Sequence, residues 1–330
     1  MAATWTIGEL LGTSSAYWRG CALQAGVRLG LFSSIAAGFT TGEQISENLN
    51  TDPRATGLLL DGLTGMGLLI KEDGSYVNSV AADDFLVKQS TNYIGHIILH
   101  HHHLVDGWAQ LDQAVRTGQP VDKRSYGEDV ERESFLMGMF NLAMANGPKV
   151  AAEVDLSGRT RLLDLGGGPG TYAIHFCLKN PTLSAVIFDR STTEPFARST
   201  VEKFGLTERI DFNSGDFTTD DLSGGPYDAA WLSHILHSSG EEMCQQIIDK
   251  TVAAMEPGGL ILIHDFILEN DKSGPEFPAL FGLNMLLNNP AGRSYSESEI
   301  IEMLCQAGAK EVQRHPWKGP NDSGIICATV

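Results

Sequence analysis

Residues 162–171 read Leu-Leu-Asp-Leu-Gly-Gly-Gly-Pro-Gly-Thr, a short apolar run that leads directly into four glycines. A strand, a glycine-rich turn and a helix in this order are typical of the nucleotide-binding turn of Rossmann-like α/β folds. Glycine permits both the sharp turn and the close approach of a ligand to the backbone. We therefore predict that Gly166, Gly168 and Gly170 contact a nucleotide-containing cofactor.

The acidic residues near this turn favour S-adenosylmethionine over a dinucleotide. The sixth position of the dinucleotide pattern is Thr171 instead of glycine, and Asp164 stands just before the glycines. A carboxylate disfavours a phosphate at this place but suits a ligand with a sulfonium and an ammonium group. Asp189 follows Gly166 by 23 positions, near the spacing of about 20 residues for an acid that binds ribose hydroxyls.

Short apolar runs continue through the second half of the chain, separated by stretches of helical length. These runs cover residues 161–165, 184–189, 210–213, 228–233 and 260–264. Strands that alternate with helices predict an α/β fold with a parallel sheet covered on both faces. A capping box at Ser296 begins the last helix, and residues 311–315 and 324–330 are candidates for a closing strand pair.

The first 90 residues are predicted to form short helices and one hairpin. Apolar residues recur at helical spacing over residues 17–31, a threonine cap precedes Glu43, and a further helix covers residues 53–66. Residues 68–77 contain two short apolar runs around an Asp-Gly turn, which indicates a hairpin. Three helices followed by a hairpin are typical of a winged helix.

Composition excludes several classes of function. The 330 residues suggest about two domains, and 41 acidic against 23 basic residues give a net charge of −18. Such a surface repels nucleic-acid phosphates and anionic lipids. The five scattered cysteines form no CxxC pair, and neither a signal peptide nor a membrane span is evident. We predict a cytoplasmic protein with no nucleic-acid or membrane partner.

With these features the chain resembles the class I S-adenosylmethionine-dependent methyltransferases. More narrowly, it is similar to the small-molecule O-methyltransferases that include the caffeate and hydroxyindole enzymes. The runs at residues 25–32 and 58–69 resemble the dimerisation winged helix of that family. The resemblance implies a homodimer and a Rossmann-like seven-stranded sheet whose last strand is antiparallel. Three parts follow from it: a winged-helix dimerisation domain over 1–100, a helical connector that lines the acceptor pocket over 101–150, and an S-adenosylmethionine-binding catalytic domain over 151–330.

The resemblance also implies roles for single residues. Asp216 and Phe217 lie in the stretch that resembles the adenine-side motif, and Ser233 at the end of the fourth strand is a further predicted cofactor contact. Two histidines, His234 and His237, follow the fourth strand as candidates for a general base. Ile235-Leu236-His237 resembles the segment whose histidine is the general base, which makes His237 the predicted base and places His234 at the strand end or the cofactor wall. Asp265 matches one acid that flanks this base, whereas the place of the second acid aligns with Ser294. Histidine suits the task because it titrates near neutral pH.

A hydroxylated small molecule is the expected acceptor. His96, His100 and His103 share one helical face. Histidines four residues apart can bind a metal, and this alternative stays open, but we predict no metal there because no carboxylate or thiolate is spaced as a third ligand on that helix. The resemblance assigns this region to the acceptor pocket, and aromatic, methionine and asparagine side chains on two later helices are suited to a flat acceptor. The predicted pocket residues are His100, His103, Phe140, Met144, Phe281, Asn284 and Met285.

Two other functions remain open. A winged-helix regulator is disfavoured because residues 40–71 contain only Arg54 and Lys71 as bases. An enzyme that uses S-adenosylmethionine as a non-methylating aid is left open by Ser238, Ser239 and Ser294, which depart from the family pattern. The sequence does not identify the acceptor among phenols, hydroxyindoles and other hydroxylated metabolites.

Overall fold

The computed structural model describes residues 5–122 and 125–330. The chain divides into two compact units: Met1–Val105 with Ser125–Asn141, and Asp106–Arg124 with Leu142–Val330. The domain limits expected at residues 100 and 150 remain a prediction. Within the described ranges, no helix combines the length and the apolar character that a membrane crossing requires.

The first unit consists of helices and one small hairpin. Thr41 caps α4 through a reciprocal capping box with Gln44, as the threonine cap predicted, and Gly30 turns the chain between α2 and α3 at φ 75°. Leu31, Phe32 and Leu60 are buried in its core. The elements are α1 (Ile7–Ser15), α2 (Tyr17–Leu29), α3 (Leu31–Ala36), α4 (Gly42–Leu49), α5 (Pro53–Gly65), β1 (Leu69–Glu72), β2 (Ser75–Asn78), α6 (Val80–Phe85) and most of α7 (Gly95–Trp108).

The second unit is built on a seven-stranded sheet. Its strands are β3 (Arg161–Leu165), β4 (Ser184–Asp189), β5 (Ile210–Ser214), β6 (Tyr227–Ser233), β7 (Met255–Phe266), β8 (Lys310–Lys318) and β9 (Ser323–Thr329). Their order is β5-β4-β3-β6-β7-β9-β8, and β9 alone runs antiparallel to the other strands. The predicted Rossmann-like sheet with an antiparallel last strand is confirmed.

Helices flank the sheet and bury both of its faces. They are α8 (Leu111–Thr117), the second half of α9 (Glu128–Glu153), α10 (Thr171–Lys179), α11 (Glu194–Lys203), α12 (Glu241–Ala253), α13 (Glu276–Asn288) and α14 (Glu297–Gln306). Neighbouring residues of β3 enter different cores, since Leu162 packs in one cluster and Leu163 in the other. Burial on both faces explains why these strands are continuous apolar runs. The polar exceptions stand at the carboxyl ends of the strands.

Candidate active site

The glycine turn joins β3 to α10 as predicted. Gly166, Gly168 and Gly170 have φ values of 63°, 56° and 80°, a region that L side chains rarely adopt. A methyl group at Gly166 would collide with Ile235 and press on Phe217, whereas one at Gly168 would enter open space. The turn is therefore tightly packed on one side and open at Gly168.

Asp164 lies near the end of β3, just before this turn, and has a buried and incompletely paired carboxyl group. The Ala173 N–H donates to its Oδ2 at 3.3 Å, while Oδ1 has no hydrogen-bond partner among the described residues. Burial raises the pKa of Asp164 to about 7. A buried carboxyl oxygen without a donor fits the ammonium group of S-adenosylmethionine, since a cation supplies what the protein does not.

Asp189, the last residue of β4, accepts a hydrogen bond from the glycine turn. Its Oδ2 accepts the Gly168 N–H at 2.8 Å, and its Oδ1 accepts the Arg190 N–H at 2.7 Å and the Thr193 hydroxyl at 3.3 Å. Burial raises the pKa of this carboxyl group. A carboxylate offers about four acceptor sites, and three of them are used here, so Oδ2 keeps the capacity to accept from a ribose hydroxyl.

The remaining predicted cofactor residues follow the neighbouring strands. Asp216 accepts from the hydroxyl and N–H of Thr218 at 2.6 and 2.9 Å, which lowers the pKa of its carboxyl group. Phe217 is partly buried beside Gly166. Ser233 ends β6, with its Oγ 2.9 Å from Nδ1 of His264. Complete burial keeps the pKa of His264 well below its usual value, which favours a neutral ring there.

His237 and Asp265 form a direct pair. His237 lies on a short 3-10 helix, Leu236–Ser238, just after β6, and its Nδ1 is 2.7 Å from Oδ1 of Asp265 near the end of β7. Burial raises the pKa of Asp265, but the charge and hydrogen bond of His237 and the nearby ring of His234 outweigh burial, so the pKa lies well below the usual range. An ionised carboxylate only accepts, so the proton of a neutral His237 ring is assigned to Nδ1 and the free lone pair to Nε2.

His234 also reaches Asp265, which the sequence did not predict. Its Nδ1 lies 3.5 Å from the same Oδ1, and its backbone has φ 58°. One ligand atom from each of His234, His237 and Asp265 lies within 4.8 Å of the others, a set that could hold a metal ion. The absence of a metal stays a prediction.

Helix α13 brings an aromatic side chain to this pair. The rings of Phe281 and His237 meet edge to face with centroids 4.8 Å apart, and Phe281 also contacts Phe266 at 4.7 Å. Met285 is half-buried on the same helix. Asn284, predicted for the pocket, accepts a hydrogen bond from Trp108 Nε1 at 3.1 Å, which holds α13 against the end of α7.

The expected second acid is replaced by a hydroxyl group. Ser294 is buried, and its Oγ donates to the carbonyl of Pro278 at 2.7 Å. This bond fixes the chain ahead of α14 to the start of α13 but offers no negative charge to the histidine. Asp265 is therefore the carboxylate that pairs with His237.

The other predicted pocket residues are described within their own units. In the first unit, His100 meets Phe135 at 5.3 Å and His103 stacks on Tyr126 at 4.6 Å, while Phe140 is half-buried. Met144 is half-buried on the part of α9 that belongs to the second unit. The assignment of these residues to an acceptor pocket stays a prediction.

Two family models match the chain: an O-methyltransferase domain over residues 106–310 and an O-methyltransferase dimerisation domain over residues 11–88. The chain is 33% identical to the 3-hydroxy-5-methyl-1-naphthoate 3-O-methyltransferase of Streptomyces sahachiroi, over 96% of this chain and 93% of that protein. It is 31% identical to the tetracenomycin polyketide synthesis 8-O-methyl transferase TcmO of Streptomyces glaucescens, over 96% of each. The solved structure of PigF with SAH, a protein known from Serratia, matches with a TM-score of 0.89 and 27% identity, over 99% of this chain and 100% of that one.

Proposed function

The chain belongs to the O-methyltransferase family and is an S-adenosylmethionine-dependent O-methyltransferase, and on this premise we propose that it methylates a phenolic hydroxyl of a small aromatic metabolite with His237 as the general base. The observation that carries the proposal is the 2.7 Å contact between His237 Nδ1 and Asp265 Oδ1. Because this contact assigns the proton to Nδ1, Nε2 is the acceptor nitrogen of a neutral ring. A base fixed in this way can take the hydroxyl proton during transfer.

Methyl transfer to oxygen is an in-line displacement that requires two aligned reactants and the removal of one proton. S-adenosylmethionine, when bound, supplies a methyl group that its sulfonium already activates. His237 takes the hydroxyl proton at Nε2, and the ring becomes a cation. The buried carboxylate of Asp265 stabilises this cation and holds the ring in place. Phe281, edge-on to His237, excludes water from the base.

The cofactor contacts are part of the same proposal. The unpaired Oδ1 of Asp164 accepts from the ammonium group, and Asp189 accepts from a ribose hydroxyl. Gly166, Gly168 and Gly170 allow the backbone to approach the cofactor. The adenine lies beside Asp216 and Phe217, and Ser233 contributes its hydroxyl at the end of β6. These assignments rest on the burial and hydrogen-bond capacity described above.

A fused aromatic ring that bears a hydroxyl group is the acceptor we propose. The names of two relatives specify a hydroxynaphthoate and a tetracenomycin polyketide. Phe266 and Phe281, whose ring centroids are 4.7 Å apart near His237, offer aromatic surfaces that favour such a ring. Met285 on the same helix adds a side chain that adapts to irregular shapes.

We further propose that the enzyme is a cytoplasmic homodimer. The match of residues 11–88 to a dimerisation domain supports self-association, and the helices α3–α5 followed by the β1–β2 hairpin support the expected winged helix. All five cysteines are unpaired, a state typical of a reducing compartment.

The proposal is tested by a product assay with a panel of hydroxynaphthoates of graded hydroxyl pKa. Formation of S-adenosylhomocysteine together with the methyl ether shows transfer, whereas a non-methylating use of the cofactor yields neither. We expect His237→Gln to lower kcat by about 10²–10⁴, the usual contribution of a positioned base, with the affinity for S-adenosylmethionine near that of the wild type. The more acidic phenols lose less, because they already ionise near neutral pH.

His315→Gln is the matched control, since it makes the same chemical change on β8 and outside the proposed site. A loss below about threefold for His237→Gln with every phenol contradicts the base assignment. A loss that is equal for all phenols would leave His237 in the site but remove its role in proton transfer.

A further inference from the structure

We propose that His234 is a second histidine that holds Asp265, a positioning residue for the base that makes up for the acid missing at Ser294. In this assignment the Nδ1–H of His234 donates to the carboxylate of Asp265. The inference rests on the proposed function, because it concerns how Asp265 supports His237.

The backbone directs the His234 side chain towards Asp265. His234 is the first residue after β6, and its N–H donates to the carbonyl of His264 on β7 at 2.8 Å. Its φ of 58° lies in the left-handed region, which few residues other than glycine adopt. The next residues then form the short helix that carries His237. This turn places both histidines on the same side of β7.

The Nδ1 atom of His234 lies near the carboxylate of Asp265. It lies 3.5 Å from Oδ1 of Asp265 and is buried without a hydrogen bond among the described residues. A distance of 3.5 Å is the outer limit of a hydrogen bond. Such contacts in ligand-free sites tighten when the reactants bind. A shift of half an ångström or so would complete the bond and satisfy a buried donor.

Neighbouring rings fix the orientation of the imidazole. The His234 ring lies 4.5 Å from the ring of Phe266 and 4.6 Å from that of His264. The side chain of His234 is 29% exposed although its Nδ1 is buried, so the exposed part of the ring lies away from Nδ1. The packed rings leave Nδ1 directed at the carboxylate, which suits a positioning role better than that of a second base.

Asp265 needs this support because Ser294 stands where the family pattern has a second acid. Its Oδ1 already accepts the Phe266 N–H at 2.8 Å and the His237 Nδ1–H at 2.7 Å. The hydroxyl of Ser294 is bound to the Pro278 carbonyl and adds no charge. A donor from His234 would keep the carboxylate fixed while the ring of His237 gains and loses its proton, since that ring is held through this oxygen alone.

Two substitutions separate this role from simple packing. His234→Asn places an amide N–H near the position of Nδ1 and tolerates a positive φ, but it removes the ring. His234→Phe keeps the ring and removes the donor. With 3-hydroxy-5-methyl-1-naphthoate as the acceptor, we expect the Asn variant to retain kcat within about threefold. The Phe variant should lose about 10- to 100-fold in kcat through misplacement of the base, with little change in KM.

Which of the two variants keeps the higher kcat decides between the positioning role and simple packing. If the ring matters for packing alone, the Phe variant retains activity and the Asn variant loses it, and this reversed order overturns the inference. Equal losses overturn it as well. A wild-type enzyme that forms no S-adenosylhomocysteine with any phenol of the panel would instead count against the proposed function.

A spectroscopic measurement tests the donor without turnover. In wild-type protein with ¹⁵N-labelled histidine and bound S-adenosylhomocysteine, long-range nitrogen–proton correlations report which ring nitrogen carries the proton. The His234 signals are assigned by their loss in the Asn variant. We expect the proton on Nδ1, since a carboxylate only accepts. A neutral His234 ring protonated at Nε2 alone would show that it does not donate to Asp265.

Discussion

Two buried carboxyl groups of this site, those of Asp164 and Asp265, have different electrostatic settings. Burial without a cationic partner raises the pKa of Asp164 to about 7. Asp265 is also buried, yet its histidine partners keep its pKa far below the usual range. Such divergence between similar groups indicates different tasks: Asp265 is a permanent anion that supports the base, and Asp164 is an acid whose charge depends on what binds beside it.

Asp164 should therefore make cofactor binding depend on pH. Its carboxyl group is largely neutral below its pKa of about 7, and a bound ammonium group favours the ionised form. Binding then requires the loss of a proton, so the affinity for S-adenosylmethionine should fall by up to about tenfold for each pH unit below pH 7. Calorimetry between pH 5.5 and 7, where the amino group of the ligand stays charged, measures this slope.

Asp164→Asn is the control for this prediction. The amide cannot ionise, so the variant should bind more weakly and with a much smaller slope over the same range. The neighbouring Asp189, whose pKa burial also raises, would preserve the slope in this variant if it were the group responsible. A flat profile in the wild type contradicts the assigned contact of Asp164.

The sequence could predict part of this arrangement. The spacing around the glycines predicted Asp164 and Asp189 at strand ends, and the family resemblance implied the pair of His237 and Asp265, which the structure places 2.7 Å apart. The contact of His234 with Asp265 was not predicted, because the direction of its ring depends on a left-handed backbone. Neither apolar periodicity nor a motif encodes that conformation.

Among the strands and helices, the buried ones were the most predictable. The limits of β3 and β4 agree with their apolar runs, since burial on both faces leaves no polar interruption. β7 begins at Met255, five residues earlier than Leu260, the residue at which its apolar run starts. β8 is largely exposed and carries a weak apolar pattern. The sequence analysis set no limits for α9, which continues through Pro148.

The glycine turn offers a test with a matched pair of variants. Gly168 and Gly158 both have positive φ, 56° and 78°, and a methyl group at either would meet no neighbouring atom. Gly168→Ala and Gly158→Ala should therefore each cost roughly 1–2 kcal/mol of stability from the left-handed backbone. Of the two, only Gly168→Ala should also weaken S-adenosylmethionine binding, by at least about tenfold, because its methyl group occupies the open side of the turn.

Thermal melting with and without the cofactor measures both effects. The melting temperature of each free variant reports the backbone cost, and the shift on adding S-adenosylmethionine reports binding. If both alanine variants show the same cofactor-induced shift as the wild type, Gly168 does not face the cofactor.

Over the chain as a whole, apolar exposure is concentrated near the N-terminal end. No residue of α1 is buried, although the helix carries large apolar side chains. Ile7 is 79% exposed and Leu11 is 65% exposed. Trp18 on α2 is likewise 65% exposed. Large apolar side chains left exposed close together in the chain indicate an interaction site, and the match to a dimerisation domain starts at residue 11. A second copy of the chain is the partner that the proposed homodimer supplies.

Sedimentation equilibrium of charge variants tests this assembly. Leu11→Lys should raise the dissociation constant of the dimer by at least about tenfold, because it places a charge in a desolvated apolar contact. Leu178→Lys on α10 is the control, since Leu178 is also exposed, at 50%, but belongs to the second unit. A monomeric wild type, or an equal effect of both variants, would contradict the assignment.

The strand order has a consequence for how the polypeptide reaches its native state. β9 lies between β7 and β8 in the sheet but follows both of them in the chain. During synthesis, β7 therefore carries an unpaired edge until β9 emerges and inserts, and β8 pairs with no strand but β9 in the part of the chain that the structure describes. Unpaired edges of this kind recruit strands from other molecules. Folding yield in the cell should thus depend on chaperone capacity during the interval between the synthesis of β7 and that of β9.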